Sequence, residues 1–191
     1  MAISSSMLEL GTQAPDFNLP EPLTGNQVAL ADFAGKPLLV AFICNHCPYV
    51  ILIREELAKF AREYQAKGLA VVAINANDIE RYPDDDPQNM MTFAKENDFS
   101  FPYLFDETQQ TAKAYKAACT PDFFLFGADG KLFYRGQFDS ARPNSQMPVT
   151  GADLRRAADA LLAGDIPPDN QLASLGCGIK WKEGNEPDYF V

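Results

Sequence analysis

Short apolar runs alternate with amphipathic segments along this chain, and this pattern predicts strands that alternate with helices. Leu38 to Ile43 is a continuous apolar run of strand length, and Leu69 to Asn75 is a second one. The segment between them, from about Pro48 to Lys67, is predicted to be a helix that ends at Gly68. Its buried face has apolar residues at the three-and-four spacing of a helix, namely Tyr49, Ile53, Leu57, Phe60 and Tyr64.

The remaining elements follow from the same patterns. Three further helices are expected at about Gln88 to Asn97, Glu107 to Ala118 (with Asp106 as its N-cap) and Asp153 to Ala163. A short extended segment is expected at Pro102 to Phe105. The two runs Phe123 to Phe126 and Lys131 to Phe138 flank a glycine-containing turn at residues 127–130, which is typical of a β-hairpin.

Two segments are expected to lie on the surface. Residues 77–88 contain two prolines and the acidic run Asp84 to Asp86, which lacks calcium-loop spacing and favours a solvated loop. The tail from Ile166 is rich in proline and glycine and is expected to lie over the surface. The pattern thus predicts one α/β domain over residues 1–191, a central sheet flanked by helices, with a core at about 14–165 and a tail at 166–191.

Charge narrows the classes of partner. Acidic residues outnumber basic ones, 26 to 16, and the 191-residue chain has a net charge of −10. This field repels phosphate backbones and anionic lipid headgroups, so we expect neither nucleic acid nor a membrane as a partner. No apolar run approaches the roughly 20 residues that span a bilayer, and residues 1–7 do not resemble a signal peptide. We therefore expect a cytoplasmic protein, and the sequence is compatible with an oligomer.

Two of the four cysteines form a Cys-x-x-Cys pair, within Cys44-Asn45-His46-Cys47-Pro48. The pair follows a predicted buried strand and precedes a predicted helix. The reactive form of cysteine is the thiolate, and a helix start stabilises an anion through its free N–H groups and macrodipole. A pair in this context is typical of redox-active thiols.

Pro48 indicates which of the two cysteines is the nucleophile. Proline is favoured as the first residue inside a helix, and the residue before it resists helical angles. Cys47 is therefore predicted to be the N-cap, with its sulfur facing the free amides of the first turn and with the lower pKa. Cys44 is then expected behind it, at the strand end.

Other interpretations of the motif stay open. In one interpretation the two cysteines are ordinary buried residues. In another interpretation they bind zinc or copper. A metal site needs two more ligands from Cys119, Cys177 and His46, and His46 is poorly placed to join both cysteines in one tetrahedral shell. His46, the only histidine, either stabilises the Cys47 thiolate or is a solvent-facing loop residue.

Three segments carry a resemblance to a known group of proteins: Val40 to Pro48, Thr120 to Leu125 and Gly176 to Lys182. They resemble the peroxiredoxin-like branch of the thioredoxin superfamily, the redoxin or AhpC/TSA-like proteins, over nearly the whole chain. The resemblance implies a thioredoxin-like fold with a central mixed sheet, an N-terminal extension and a C-terminal tail. It implies that Cys47 corresponds to the peroxidatic cysteine of peroxiredoxins. It also implies a cis-proline turn at Thr120-Pro121, whose backbone would pair with an extended substrate peptide.

The chain departs from the peroxiredoxin pattern Pro-x-x-x-Thr-x-x-Cys. Val40 and Cys44 stand where that pattern requires proline and threonine. The partner arginine is not assigned, with Arg135 and Arg142 as candidates. These departures weaken the expectation of peroxide reduction and leave dithiol–disulfide exchange unaffected.

Two cysteines lie outside the motif. Cys119 is either a buried spectator thiol or a thiol that approaches the site. Cys177 is a resolving thiol brought to Cys47 by a mobile tail, a surface thiol or a packed structural residue.

We therefore predict a thiol–disulfide oxidoreductase, with Cys44 and Cys47 as catalytic residues. The supporting residues are Asn45, His46, Thr120 and Pro121, and Cys177 is a candidate resolving thiol. The substrate is a protein or small-molecule disulfide or a peroxide. The product, a Cys44–Cys47 disulfide, is reduced by an external dithiol system such as thioredoxin or glutathione, without an organic cofactor or metal. Two alternatives are a peroxiredoxin-like thiol peroxidase with an antioxidant role in redox homeostasis, and a non-catalytic metal-binding or carrier module.

Overall fold

A computed structural model describes residues 2–189, which contain ten strands and four α-helices. The strands are β1 (Ala2–Ser4), β2 (Asn18–Pro20), β3 (Gln27–Ala29), β4 (Leu38–Phe42), β5 (Ala70–Asn75), β6 (Tyr103–Phe105), β7 (Cys119–Thr120), β8 (Asp122–Phe126), β9 (Leu132–Gly136) and β10 (Leu175–Gly178). The helices are α1 (Pro48–Ala66), α2 (Pro87–Glu96), α3 (Gln110–Ala114) and α4 (Ala152–Ala163).

The central sheet has five strands in the order β6-β5-β4-β8-β9. The pairs β4–β5 and β5–β6 are parallel, and the pairs β4–β8 and β8–β9 are antiparallel. Every residue of β4 is buried, because this middle strand has helices or loops on both faces. The sheet is therefore mixed and flanked by helices, as predicted.

The two faces of the sheet form separate apolar clusters. Residues such as Leu39 and Ala41 pack against α1, α2 and α4. The alternate residues, such as Val40 and Phe42, pack on the other face against the N-terminal segment, α3 and the C-terminal segment. This division follows from the period-two alternation of side chains along a strand.

The C-terminal segment differs from the expectation that all of it lies over the surface. β10 is the middle strand of a second sheet, in the order β1-β10-β7. Ile179 and Trp181, which follow it, are buried in the second apolar cluster. The proline and glycine content of the tail did not reveal this strand, because its pairing partners lie far away in the sequence.

Two further expectations need correction. The helix predicted at Glu107 to Ala118 is present only as the short α3, because Gln109 adopts left-handed angles (φ 64°) and Lys116 does so too (φ 51°). The loop at residues 77–88 contains a 3-10 turn at Pro83–Asp85, and Asp85 within it is buried. Between residues 2 and 189, no helix has the length and apolar character needed to cross a membrane.

Candidate active site

Cys44 and Cys47 lie between the end of β4 and the start of α1. Ile43 continues the sheet by one residue, since its amide donates to the Ile74 carbonyl at 3.0 Å. Pro48 is the first residue of α1, and Cys47 is its N-cap with extended backbone angles (φ −69°, ψ 122°). The backbone positions of both cysteines are therefore those that the sequence predicts.

The sulfur of Cys47 interacts with the first turn of α1 more weakly than predicted. It makes no full capping hydrogen bond there, although the Val50 amide contributes to lowering its pKa. The Cys47 thiol instead points at the carbonyl oxygen of Thr120, 3.1 Å away. Cys44 Sγ lies 3.3 Å from Oγ1 of the same Thr120. Thr120 therefore contacts both members of the pair.

The two thiols differ in acidity. Hydrogen bonds from Cys44 and then Cys177 outweigh the effect of burial and lower the pKa of Cys47 to about 5, with smaller contributions from Thr120 and the Val50 amide. The hydrogen bond to Cys47, burial and the charge of Asp85 raise the pKa of Cys44 well above its usual value. Cys47 is thus the thiol that ionises first, and Cys44 stays protonated beside it.

Both sulfurs of the pair are enclosed by protein. Cys47 is 0% exposed and Cys44 is 1% exposed. Cys177 is the more accessible neighbour, since it is half-buried. Neither sulfur of the pair is therefore open to solvent in this arrangement.

The peptide bond between Thr120 and Pro121 is cis, as the resemblance implies. In this structure, however, the backbone of Thr120 is not free to pair with a substrate peptide. β7 is already paired with β10, and Cys177 stands opposite Thr120. Gly176 allows this close approach, because a Cβ at that position would lie 2.0 Å from the Thr120 carbonyl oxygen.

A buried carboxylate, that of Asp85, holds the turn between the two cysteines. Its Oδ1 accepts a hydrogen bond of 2.8 Å from the Asn45 amide. Its Oδ2 accepts one of 2.7 Å from Asn77 Nδ2 and lies 2.6 Å from His46 Nδ1. Burial opposes ionisation of Asp85, but the hydrogen bonds from His46 and Asn77 outweigh it and hold the pKa of this carboxyl below its usual value.

Asp85 was not among the residues predicted for the site. Three consecutive aspartates do not show which carboxylate turns inward. The available signal was the pair Asn75 and Asn77 at the end of a buried strand, because buried amides need polar partners. Asn75 Nδ2 indeed donates to the Asp85 carbonyl at 2.8 Å.

The two residues between the cysteines are anchored by this network. The ring of His46 stacks on Tyr82 with centroids 5.6 Å apart. The hydrogen bond to Asp85 raises the pKa of His46, and the Cys47 thiolate contributes less to that rise. Asn45 donates to the Asp84 carbonyl at 2.8 Å and accepts from the Tyr103 hydroxyl at 3.0 Å. His46 and Asn45 therefore position the turn, and His46 is first a partner of Asp85.

A partial metal-ligand set occurs in this network. Cys44, His46 and Asp85 bring one donor atom each within 4.8 Å of one another. Both oxygens of Asp85 are already engaged by Asn45, Asn77 and His46. Cys47 does not join this set within the described residues, so the two cysteines and His46 do not converge on one centre.

Cys119 lies beside the site without joining the dithiol. It is 0% exposed, and its thiol points at the Pro121 carbonyl oxygen, 3.6 Å away. Burial raises its pKa well above the usual value. These features are those of a buried spectator thiol.

The two candidate arginines are engaged elsewhere. Arg135 Nε donates to the Leu8 carbonyl at 2.7 Å, and Arg142 donates to the Asp139 carbonyl at the same distance. In residues 2–189, neither guanidinium is hydrogen-bonded to Cys47. Neither candidate arginine is therefore held against the dithiol sulfurs by a hydrogen bond.

Comparison with known proteins places this site in a family. The model of the AhpC/TSA family matches residues 10–135. The thiol-disulfide oxidoreductase ResA of Bacillus thuringiensis subsp. konkukian is 29% identical over 128 residues, which cover 65% of this chain and 68% of that protein.

Two solved structures are similar over larger parts of the chain. An uncharacterized conserved protein from Geobacillus kaustophilus is 51% identical with a TM-score of 0.93, covering 95% of this chain and 97% of that one. A putative thiol:disulfide interchange protein DsbE from Chlorobium tepidum is 27% identical with a TM-score of 0.65, covering 81% and 99%. These similarities confirm the thioredoxin-like fold. The chain belongs to the AhpC/TSA family.

Proposed function

We propose that this protein is a thiol–disulfide oxidoreductase in which Cys47 attacks and Cys44 resolves. The observation that carries the proposal is the thiol pair before α1, whose sulfurs both contact Thr120 at 3.1–3.3 Å. Within this pair, interaction with Cys44 lowers the pKa of Cys47 to about 5, and the pKa of Cys44 is raised. Cys47 is then a thiolate at neutral pH, and the thiolate is the form that attacks a disulfide. The similarity to ResA and to a DsbE protein supports the same class of reaction.

The reaction consists of two thiol–disulfide exchanges. The Cys47 thiolate attacks one sulfur of the substrate disulfide, and the other substrate sulfur leaves as a thiolate and takes up a proton. Cys44 then loses its proton and attacks the Cys47 sulfur, which expels the second substrate thiol. The substrate gains two electrons, and the protein is left with a Cys44–Cys47 disulfide.

The first exchange prepares the second one. The Cys47 thiolate is one of the groups that raise the pKa of Cys44. Its negative charge disappears when Cys47 enters a mixed disulfide, so the pKa of Cys44 falls and its nucleophilicity increases. Asp85 continues to oppose ionisation of Cys44, and His46, whose Nδ1 lies 2.6 Å from that carboxylate, offsets part of its charge whenever the imidazole is protonated.

Partners and compartment follow from this chemistry as further parts of the proposal. The oxidised protein needs an external dithiol, such as a thioredoxin or glutathione system, to return it to the dithiol state. A supply of such reductants is found in the cytoplasm. Because Cys47 is 0% exposed, a local opening around the pair precedes attack on a protein disulfide.

The proposal is tested by catalysed reduction of oxidised glutathione with dithiothreitol as electron donor. We expect Cys47→Ser to lose the catalysed rate and Cys44→Ser to slow it, because attack precedes resolution. Cys119→Ser is the matched control, since it removes a neighbouring buried thiol that takes no part, and it should keep the wild-type rate. A Cys47→Ser variant with wild-type activity would overturn the proposal.

A further inference from the structure

A third thiol, that of Cys177, is held next to the dithiol. β10 lies between β7 and β1, and its pairing with β7 places Cys177 opposite Thr120. Hydrogen bonds beyond the strand fix the same segment, from the Ile179 amide to the Ala118 carbonyl at 3.1 Å and from the Lys180 amide to Asn77 Oδ1 at 2.8 Å. Cys177 is therefore fixed in the sheet, and no mobile tail is needed to bring it there.

The strand register directs the Cys177 side chain toward the dithiol. Directly opposed residues of an antiparallel pair have their side chains on the same face, with Cβ atoms about 4.5–5.5 Å apart. The side chain of Thr120 contacts Cys44 Sγ at 3.3 Å. Cys177 packs against the apolar cluster that contains Cys44 and Cys47, and interaction with its thiol lowers the pKa of Cys47.

Cys177 and Cys44 act on Cys47 in the same sense. Hydrogen bonding with each of these thiols lowers the pKa of Cys47. Burial and that hydrogen bond raise the pKa of Cys177 to about 12, so its nucleophilicity is suppressed while Cys47 is a thiolate. The two thiols differ in access, because Cys177 is half-buried whereas Cys44 is buried.

We propose that Cys177 is a second resolving thiol, which forms a Cys47–Cys177 disulfide and connects the buried pair with solvent. This inference rests on the proposed function and deepens it. When Cys47 carries a mixed disulfide, Cys177 loses its proton, attacks the Cys47 sulfur and expels the substrate thiolate, which takes up a proton. Attack of Cys177 on a Cys44–Cys47 disulfide gives the same bond and releases Cys44, with no net oxidation. The external reductant then attacks at the accessible Cys177.

The test uses the full-length Cys44→Ser variant, treated with oxidised glutathione, trapped in acid, alkylated and mapped by mass spectrometry without reduction. We expect a Cys47–Cys177 disulfide to replace the glutathione adduct on Cys47. Cys44→Ser/Cys119→Ser should behave in the same way, and Cys44→Ser/Cys177→Ser should stop at the adduct. A lasting adduct on Cys47 of Cys44→Ser, with Cys177 still free, would overturn the role of Cys177 alone.

Two further measurements separate the remaining outcomes. If Cys44→Ser/Cys177→Ser forms no glutathione adduct on Cys47, the proposed function fails together with the inference. The same experiment on the wild-type protein does not depend on whether a variant folds. During reaction with limiting oxidised glutathione, a disulfide-linked Cys47–Cys177 peptide should be detected beside the Cys44–Cys47 peptide. If the Cys47–Cys177 peptide is absent at every time point, the inference is contradicted.

Discussion

The thiol of Cys47 lies 3.1 Å from the carbonyl oxygen of Thr120, the residue joined in cis to Pro121. The hydroxyl group of the same threonine lies 3.3 Å from the sulfur of Cys44. Thr120 is in turn paired with Cys177 in β10. One residue thus connects the dithiol with the C-terminal strand, so a change in that strand is expected to alter the acidity and exposure of the thiols.

Asp85→Asn should destabilise the fold and lower the pKa of both His46 and Cys44. The substitution removes the negative charge that raises the pKa values of Cys44 and His46. It also places an NH2 group, itself a hydrogen-bond donor, against donors such as Asn77 Nδ2. A buried group left without its partner costs about 1–3 kcal/mol. Urea unfolding measures the stability, and NMR titration of the single histidine measures its pKa.

Asp84→Asn is the matched control for this change. It removes the same charge one residue away, from a side chain that is exposed. Exposed substitutions usually change stability by no more than about 0.5 kcal/mol. Equal effects of the two substitutions would contradict the role assigned to Asp85.

Gly176→Ala should displace β10 and uncover the dithiol. The added Cβ would lie 2.0 Å from the Thr120 carbonyl oxygen, so the backbone must shift. Overpacking of this kind costs about 1–3 kcal/mol. We expect lower stability and faster labelling of Cys47 by a bulky maleimide. Leu172→Ala, at an exposed position of the same segment, should change neither, and unchanged labelling of Gly176→Ala would count against β10 as the cover.

Asp122 should make the protein less stable as the pH rises. Burial raises its pKa to about 7 from a usual value of 3.8, so the folded state binds the proton more tightly than the unfolded chain. Its contribution is then full below pH 3.8 and is lost as the pH rises through about 7. Asp122→Asn should remove this part of the pH dependence and gain stability relative to wild type above pH 7. Identical pH profiles of the unfolding free energy in both proteins would contradict this prediction.

Hydrogen peroxide should oxidise Cys47 no faster than it oxidises an ordinary thiolate. Cys44 stands where peroxiredoxins carry their threonine, and Arg135 and Arg142 are hydrogen-bonded elsewhere. The loss of thiolate absorbance after addition of peroxide measures the rate. Rapid, saturable loss would favour the thiol peroxidase alternative.

The local part of the site was predictable from the sequence. Pro48 fixes the start of α1, and this places Cys47 at the N-cap whatever the rest of the fold does. The buried strands β4 and β5 were predictable for a similar reason, because a continuous apolar run carries its own signal. The acidity order of the two cysteines also agrees with the helix start, although the larger cause is the hydrogen bond from Cys44.

The long-range part of the site was not predictable in this way. Asp85 is 40 residues from Asn45, and its carboxylate accepts a hydrogen bond from the Asn45 amide. Cys177 is more distant still from Thr120, and the tail gave no apolar periodicity that indicated a strand. Such contacts depend on tertiary pairing, which composition and periodicity do not encode.

The central claim is that Cys47 is the acidic thiol of the pair, and the ultraviolet absorbance of the thiolate against pH tests it directly. We predict one step at about pH 5 in the wild-type protein. The step should disappear in Cys47→Ser, move to higher pH in Cys44→Ala, which lacks the strongest hydrogen-bond donor to Cys47, and stay in place in Cys119→Ser. A step that persists in Cys47→Ser and is lost in Cys44→Ala would contradict the claim.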